Sequence, residues 1–253
     1  ELLADMNRSM GHDVQVVLKQ SVPPETVLPR MAGLPNLADI ETWNGGRGEL
    51  QSHVVATDRG IGIVALPWNT ALFRPRLAEG RWLQAADRVE VVLNRNAADL
   101  YAHHEIGGTV EVGAGGQTVQ AVLVGIIEEL DKPKIYIDQA HYNRVFGVAP
   151  GVNSLMLVAK DKRYSEVMAL KRAVEAVIER SGLDVLYVMS HAERGRVIAD
   201  HLDIVLAVLV ILSLLVLMVS AMGMASAMAI SIQERTREIG VMRAIGATPA
   251  MVS

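Results

Sequence analysis

Between Asp203 and Glu234 the chain carries no charged side chain and no proline. The run Ile204–Ile232, 29 residues drawn mostly from Leu, Val, Ile, Met and Ala, would reach about 43 Å as a helix, beyond the ~30 Å hydrocarbon core of a bilayer. A helix of a soluble core keeps one polar face for water, and these roughly eight turns have none. The run therefore reads as a membrane-spanning helix rather than a buried core helix or a signal peptide. A soluble part would precede it and a polar tail would follow from Glu234.

The 253 residues leave room for one large or two small domains beside the span. A net charge of −4 offers no basic field to a nucleic acid, so no nucleic-acid partner is expected. The lack of cysteine excludes a disulfide scaffold, thiolate metal sites and a Cys nucleophile. No apolar leader precedes Glu1, and the expectation is a piece of a longer protein with an earlier membrane helix ending near Leu2–Met10. Arg235, Arg237 and Arg243 outweigh Arg194 and Arg196 at the other flank. This bias places the C-terminus in the cytoplasm and residues 1–200 outside a cell (inner or plasma) membrane.

Before the span, Val-rich alternation marks strands at Asp13–Lys19, Ala38–Trp43 and Ile61–Leu66, with a helix over 25–33 opened by Ser21 and Pro23-Pro24. Asn44-Gly45-Gly46 reads as a turn leading to a strand at Leu50–Thr57. From about Pro67 to Pro150 the segments shorten: a corner at Leu77–Trp82, a strand at Val89–Leu93, a helix at Asn96–His103. A hairpin follows at Thr109–Val112 and Thr118–Ile127, then a strand at Ile135–Ile137 and a helix at Gln139–Phe146. After Gly151 a second β-α-β unit appears, with strands Asn153–Ala159 and Leu183–Met189 around a helix at Tyr164–Arg180. That helix carries Val167, Leu170, Val174, Val177 and Ile178 on one stripe, with Gly182 beyond its end.

The expected fold is an α+β outer domain, a split ferredoxin-like β-α-β layer with an inserted β-rich subdomain, followed by a long transmembrane α-helix. Residues 1–70 and 151–190 form the layer and 71–150 the insert. Residues 191–233 form a stalk plus span, and 234–253 a cytoplasmic segment. Ser190-His191-Ala192-Glu193 has the form of a capping box, so the helix is expected to begin inside the outer domain.

No catalytic, cofactor or metal site is expected. Val112-Gly113-Ala114-Gly115-Gly116 lacks the third glycine of a dinucleotide loop and is followed by a strand. His103-His104-Glu105 points to different helix faces, and His12, His53, His141, His191 and His201 show no ligand spacing; all are expected at the surface. Glu128-Glu129 reads as a solvated loop. No Walker A loop or hydrolase motif occurs. Within the span, Ser220, Gly223, Ala227 and Ser231 share one face suited to packing against another helix. In the tail, Glu234, Arg235, Arg237 and Glu238 sit at the membrane edge, and Ile239, Val241, Met242, Ala244 and Ile245 are expected to expose a compact apolar surface on a short helix before Gly246 and Pro249.

The tail, ERTREIGVMRAIGATPAMV over 234–252, resembles the motif that follows the second membrane helix of FtsX/MacB-type ABC transporter permeases. The matching residues are Glu234, Arg235, Arg237, Glu238, Ile239, Gly240, Arg243, Ala244, Gly246 and Ala247. The outer part is similar to that family's extracytoplasmic domain, with a split porter part and a sabre insert carrying Gly80-Arg81-Trp82, Ile106-Gly107 and Val124-Gly125-Ile126. The resemblance implies a non-catalytic permease whose tail contacts a partner ATPase. It also implies a second permease copy or half, membrane lipid around the helix, and an outer domain acting on a peptide, lipid or protein. A single-helix sensor with an outer ligand-binding domain, and a membrane-anchored enzyme, are the alternative classes.

Overall fold

The computed structural model describes residues 10–51, 60–100, 105–129, 131–147 and 151–246, with backbone alone for 51, 194–201 and 203. It divides into two compact units, Glu1–Gly195 and Arg196–Ser253.

In the first unit, β1 (Val14–Val22), α1 (Pro24–Met31), β2 (Leu37–Gln51), β9 (Val152–Ala159), α4 (Tyr164–Ser181) and β10 (Val185–Ser190) build one layer. Its strands lie in the order β10-β1-β9-β2, each pair antiparallel. Two β-α-β units interleaved in this way give the ferredoxin-like arrangement expected from the sequence. One face of the sheet buries Val14, Val16, Leu18, Leu155 and Leu157 against Val27 and Met31 of α1 and Val167, Leu170, Val174 and Ile178 of α4. These are the i, i+3, i+4 positions of α4, which ends at Gly182 in the left-handed conformation (φ 66°). Ser21 does not open α1: it lies within β1, and Pro23 takes the cap position without a side-chain bond.

Between the two halves of the layer come β3 (Ile61–Leu66), β4 (Leu77–Gly80), β5 (Glu90–Asn94), α2 (Arg95–Leu100), β6 (Thr109–Ala114), β7 (Gln117–Ile127), β8 (Lys134–Asp138) and α3 (Gln139–Val145). Pairing runs from β2 to β3, β8, β5, β7 and β6, and β6 returns to β2. Six strands thus close into a ring, which leaves no edge to protect. The strand Ile61–Leu66, grouped by sequence with the split layer, has its partners β2 and β8 in this ring. Alternate residues fill the interior: Ile61, Ile63 and Ala65, Val91 and Leu93, Val112 and Ala114, Ala121 and Leu123, Ile135 and Ile137. The corner expected at Leu77–Trp82 is partly the strand β4, laid antiparallel on β7.

Asn44-Gly45-Gly46 is not a turn. β2 is one 15-residue strand that pairs with β9 up to Trp43 and with β3 from Asn44 to Gly48. A Cβ on Gly45 would stand 2.2 Å from the Ile63 carbonyl oxygen, and one on Gly48 2.7 Å from that of Gly113. The glycines let two neighbouring strands approach as β2 passes from layer to ring. Of the expected strand Leu50–Thr57, only Leu50 and Gln51 are described, and they end β2.

The second unit holds most of α5 (His191–Ala244), 54 residues without proline. Its stretch Ile204–Ala244 is long and apolar enough to cross a membrane. Large apolar side chains along it, from Leu202 to Ile232, are exposed within the chain. The helix closes at Gly246, whose φ of 98° an L side chain rarely adopts.

Candidate functional site: the two ends of the long helix

The outer end of α5 follows β10 with no intervening residue, since Ser190 closes the strand and His191 opens the helix. The capping box expected there is not made. The Ser190 hydroxyl is fully buried at the end of β10 and finds no hydrogen-bond partner among the described residues. Glu193 instead accepts a short hydrogen bond from Lys171 of α4. Lys171 also reaches Glu175 at 3.7 Å. Burial would lower the Lys171 pKa, but the Glu193 carboxylate outweighs it and the net shift is upward. The first turn of α5 is therefore clamped to the helix that covers the layer.

The strand side of this junction is fixed by backbone. Gly11 N–H donates to the Leu72 carbonyl at 2.7 Å and Asp13 N–H to that of Leu157 at 2.9 Å; Asp13 in turn accepts from His191 N–H at 3.2 Å. His12 lies between these anchors, buried, with its ring edge-on to Trp43 at 6.0 Å. Its Nε2 stands 2.9 Å from Nε2 of His191. The expected surface placement fails for His12 and for His141, also buried, whose Nδ1 lies 3.4 Å from Asp138, the cap of α3. His53, His103 and His104 lie outside the described residues, as does the side chain of His201. Nothing in the spacing of His12 and His191, 179 residues apart, signals their meeting. It follows from Val14 pairing with Ser190 across β1 and β10.

Glu129 also departs from expectation. It accepts from Tyr136 Oη at 2.6 Å and pairs with Lys134 at 2.9 Å, largely shielded from solvent. Burial, then the Glu129 charge, pushes the Tyr136 phenol well above its ordinary range. Glu128 pairs with Arg95. The glycine-rich tract forms the β6–β7 hairpin turn, with Gly115 and Gly116 at φ 59° and 81°. Among the described residues, no three or more His, Asp or Glu come together as a metal-ligand group.

The tail residues Glu234, Arg235, Arg237, Glu238, Ile239, Gly240, Arg243 and Ala244 all lie on α5 itself. The short separate helix expected from Ile239 onward is the unbroken continuation of the span. Gly246 lies just past its end, and Ala247 lies outside the described residues. The described ones are exposed except Ile239, which is half-buried. At 100° per residue Val241 neighbours Ala244 and Ile245, and Met242 neighbours Ile239 and Ile245, so the apolar residues adjoin one another around the helix. Glu234, Arg235, Arg237 and Glu238 lie one to two turns before them. Ser220, Gly223, Ala227 and Ser231 are likewise exposed on one face, and a Cβ at Gly223 would meet nothing within 4 Å.

Residues 210–253 match the family model described as the FtsX-like permease C-terminal. An uncharacterised ABC transporter permease of Methanocaldococcus jannaschii is 22% identical over 174 residues, 68% of this chain and 43% of that relative. The chain thus spans less than half of that relative's length. The periplasmic region of MacB from Actinobacillus actinomycetemcomitans aligns with a TM-score of 0.51 at 13% identity, covering 79% of this chain and 99% of that one. The extracellular domain of the ABC-type transporter YknZ from Gram-positive bacteria aligns at 0.48 and 12%, covering 69% of this chain and 99% of its own. The C-terminal segment is thus similar to FtsX-like permease sequence, and the α/β domain before it shares its fold with a MacB periplasmic region.

Proposed function

From an FtsX-like C-terminal segment and a MacB-like outer fold, we propose that this chain is the mechanical part of an ABC transporter permease. In this reading α5 carries movement between a cytoplasmic ATPase and the outer domain. The observation that carries it is the join at Ser190–His191: the last residue of a sheet strand is followed directly by a helix that reaches the FtsX-like tail without proline. A loop between strand and helix would absorb displacement, and none intervenes between Ser190 and His191.

The chain binds no nucleotide here; hydrolysis belongs to a partner ABC ATPase, against which Glu234, Arg235, Arg237, Glu238, Ile239, Gly240, Arg243, Ala244, Gly246 and Ala247 dock. Charged residues within Glu234–Glu238, followed by the apolar residues within Ile239–Ile245, suit insertion into a groove with a charged rim. The excess of arginine after the span places this end in the cytoplasm and residues 1–200 outside. Ser220, Gly223, Ala227 and Ser231 pack on another membrane helix, in the same permease or a second copy. Outside, residues 1–70 and 151–190 act as the porter-like part and 71–150 as the sabre-like insert. The work done there is export, lipoprotein release or activation of a partner, on a peptide, lipid or protein.

Charge reversal at the docking end tests this. The full permease with E238K and R243E, co-expressed with its ABC ATPase, is expected to lose co-purification of the ATPase while the outer domain keeps its melting curve. Undiminished co-purification contradicts the reading.

A further inference from the structure

We propose that His12 and His191 form an acid-released latch between the outer sheet and the first residue of α5. With Nε2 facing Nε2 at 2.9 Å, one ring must donate and the other accept. The contact therefore tolerates no proton or one extra proton on the pair. With both rings charged, two N–H donors and two positive charges would face each other beside the buried indole of Trp43, and the contact cannot persist. The released state binds more protons than the latched one, so acidification favours release. Imidazole ordinarily titrates near pH 6.5, placing the change within reach of a mildly acidic exterior.

Charged groups near the pair among the described residues have partners of their own. Just before β1, Asp13 Oδ2 accepts from the Ala159 amide at 2.8 Å. On β2, Glu41 is taken up by the Trp43 indole and the Thr70 hydroxyl. On α4 and α5, Lys171 and Glu193 hold each other. The N-terminus of α5 adds a partial positive charge beside His191, which further opposes a second proton. His12 is held on both sides by the Gly11 and Asp13 backbone bonds, so the side that yields is His191 and the first turn of the helix. The latch does not depend on what α5 drives.

The test uses the whole chain in lipid nanodiscs, with labelled histidine followed by NMR and with hydrogen exchange. From pH 7.5 to 5, the His12 and His191 ring resonances are expected to titrate together in two separated steps. Protection at the amides of Val188–His191 is expected to fall up to about tenfold per pH unit below 6.5, while Leu155–Leu157 stay protected. H191Q, at the half-buried ring, keeps a hydrogen-bonding side chain that cannot charge, and is expected to remove the pH dependence. Two independent single-step titrations in the unmodified chain, or the same loss of protection in H191Q, would overturn the latch.

Discussion

α4 and α5 are both regular helices of one chain, and their side chains meet opposite surroundings. In α4, Val167, Leu170, Val174 and Ile178 are buried on one stripe, and charged residues such as Arg172, Glu179 and Arg180 lie exposed off it. In α5, the residues of Ile204–Ile232 are apolar on every side and exposed on every side. Periodicity separates the two before any coordinate does: an apolar stripe faces a protein core, whereas apolarity without a face requires a solvent that is itself apolar. Truncating Leu170 to Ala is accordingly expected to cost the outer domain about 2–5 kcal/mol in denaturant unfolding. Leu214→Ala is expected to leave the same curve unmoved. Equal effects would erase the distinction.

A charge sharpens it. Leu214→Arg is expected to cost about 2.5–3.5 kcal/mol in a membrane-insertion assay with the outer fold intact. The same contrast holds for acids. Glu90 is buried and accepts from Arg81 at 2.7 Å and Arg88 at 3.1 Å, whereas Glu238 is exposed. Burial would raise the Glu90 pKa, but the two guanidiniums overcome it and the net shift is downward. A depressed carboxylate contributes stability that is present above its unfolded pKa and lost as pH falls through the folded one. Glu90→Gln is therefore expected to cost about 1–3 kcal/mol at neutral pH and progressively less below about pH 4.5, the ordinary carboxyl value. Glu238→Gln is expected to affect ATPase docking alone. The smallest effect belongs to Lys171→Met, which removes the clamp on Glu193 for about 0.5–1 kcal/mol. Because the Lys171 pKa is raised, this contribution is whole below about pH 10.5 and disappears as pH rises through the folded value.

Local periodicity made α4, its Gly182 terminus, the hairpin β6–β7 and the span readable from residues alone. It failed where a residue served a distant neighbour. Gly45 and Gly48 have the composition of a turn, and only the carbonyls of Ile63 and Gly113 across the sheet explain them as strand glycines. Ring closure follows from β6 returning to β2, a pairing that no local pattern encodes. Ser190 and Glu193 fitted a capping box, but Lys171 offered Glu193 a charged partner and the box stayed unmade. At the tail, the family motif was legible while its geometry was not. The short separate helix expected after the span is the unbroken continuation of α5 to Ala244.

The account rests on α5 meeting the outer sheet without a joint. In the full permease with its ATPase in nanodiscs, hydrogen exchange at Val14–Val17 and Val185–Ser190 is read with ATP and with ADP, before and after inserting Gly-Gly-Ser-Gly between Ser190 and His191. The expected result is a nucleotide-dependent difference at these strands that vanishes with the insertion, while the ATPase remains bound. The same difference persisting through the inserted joint would contradict transmission along the helix.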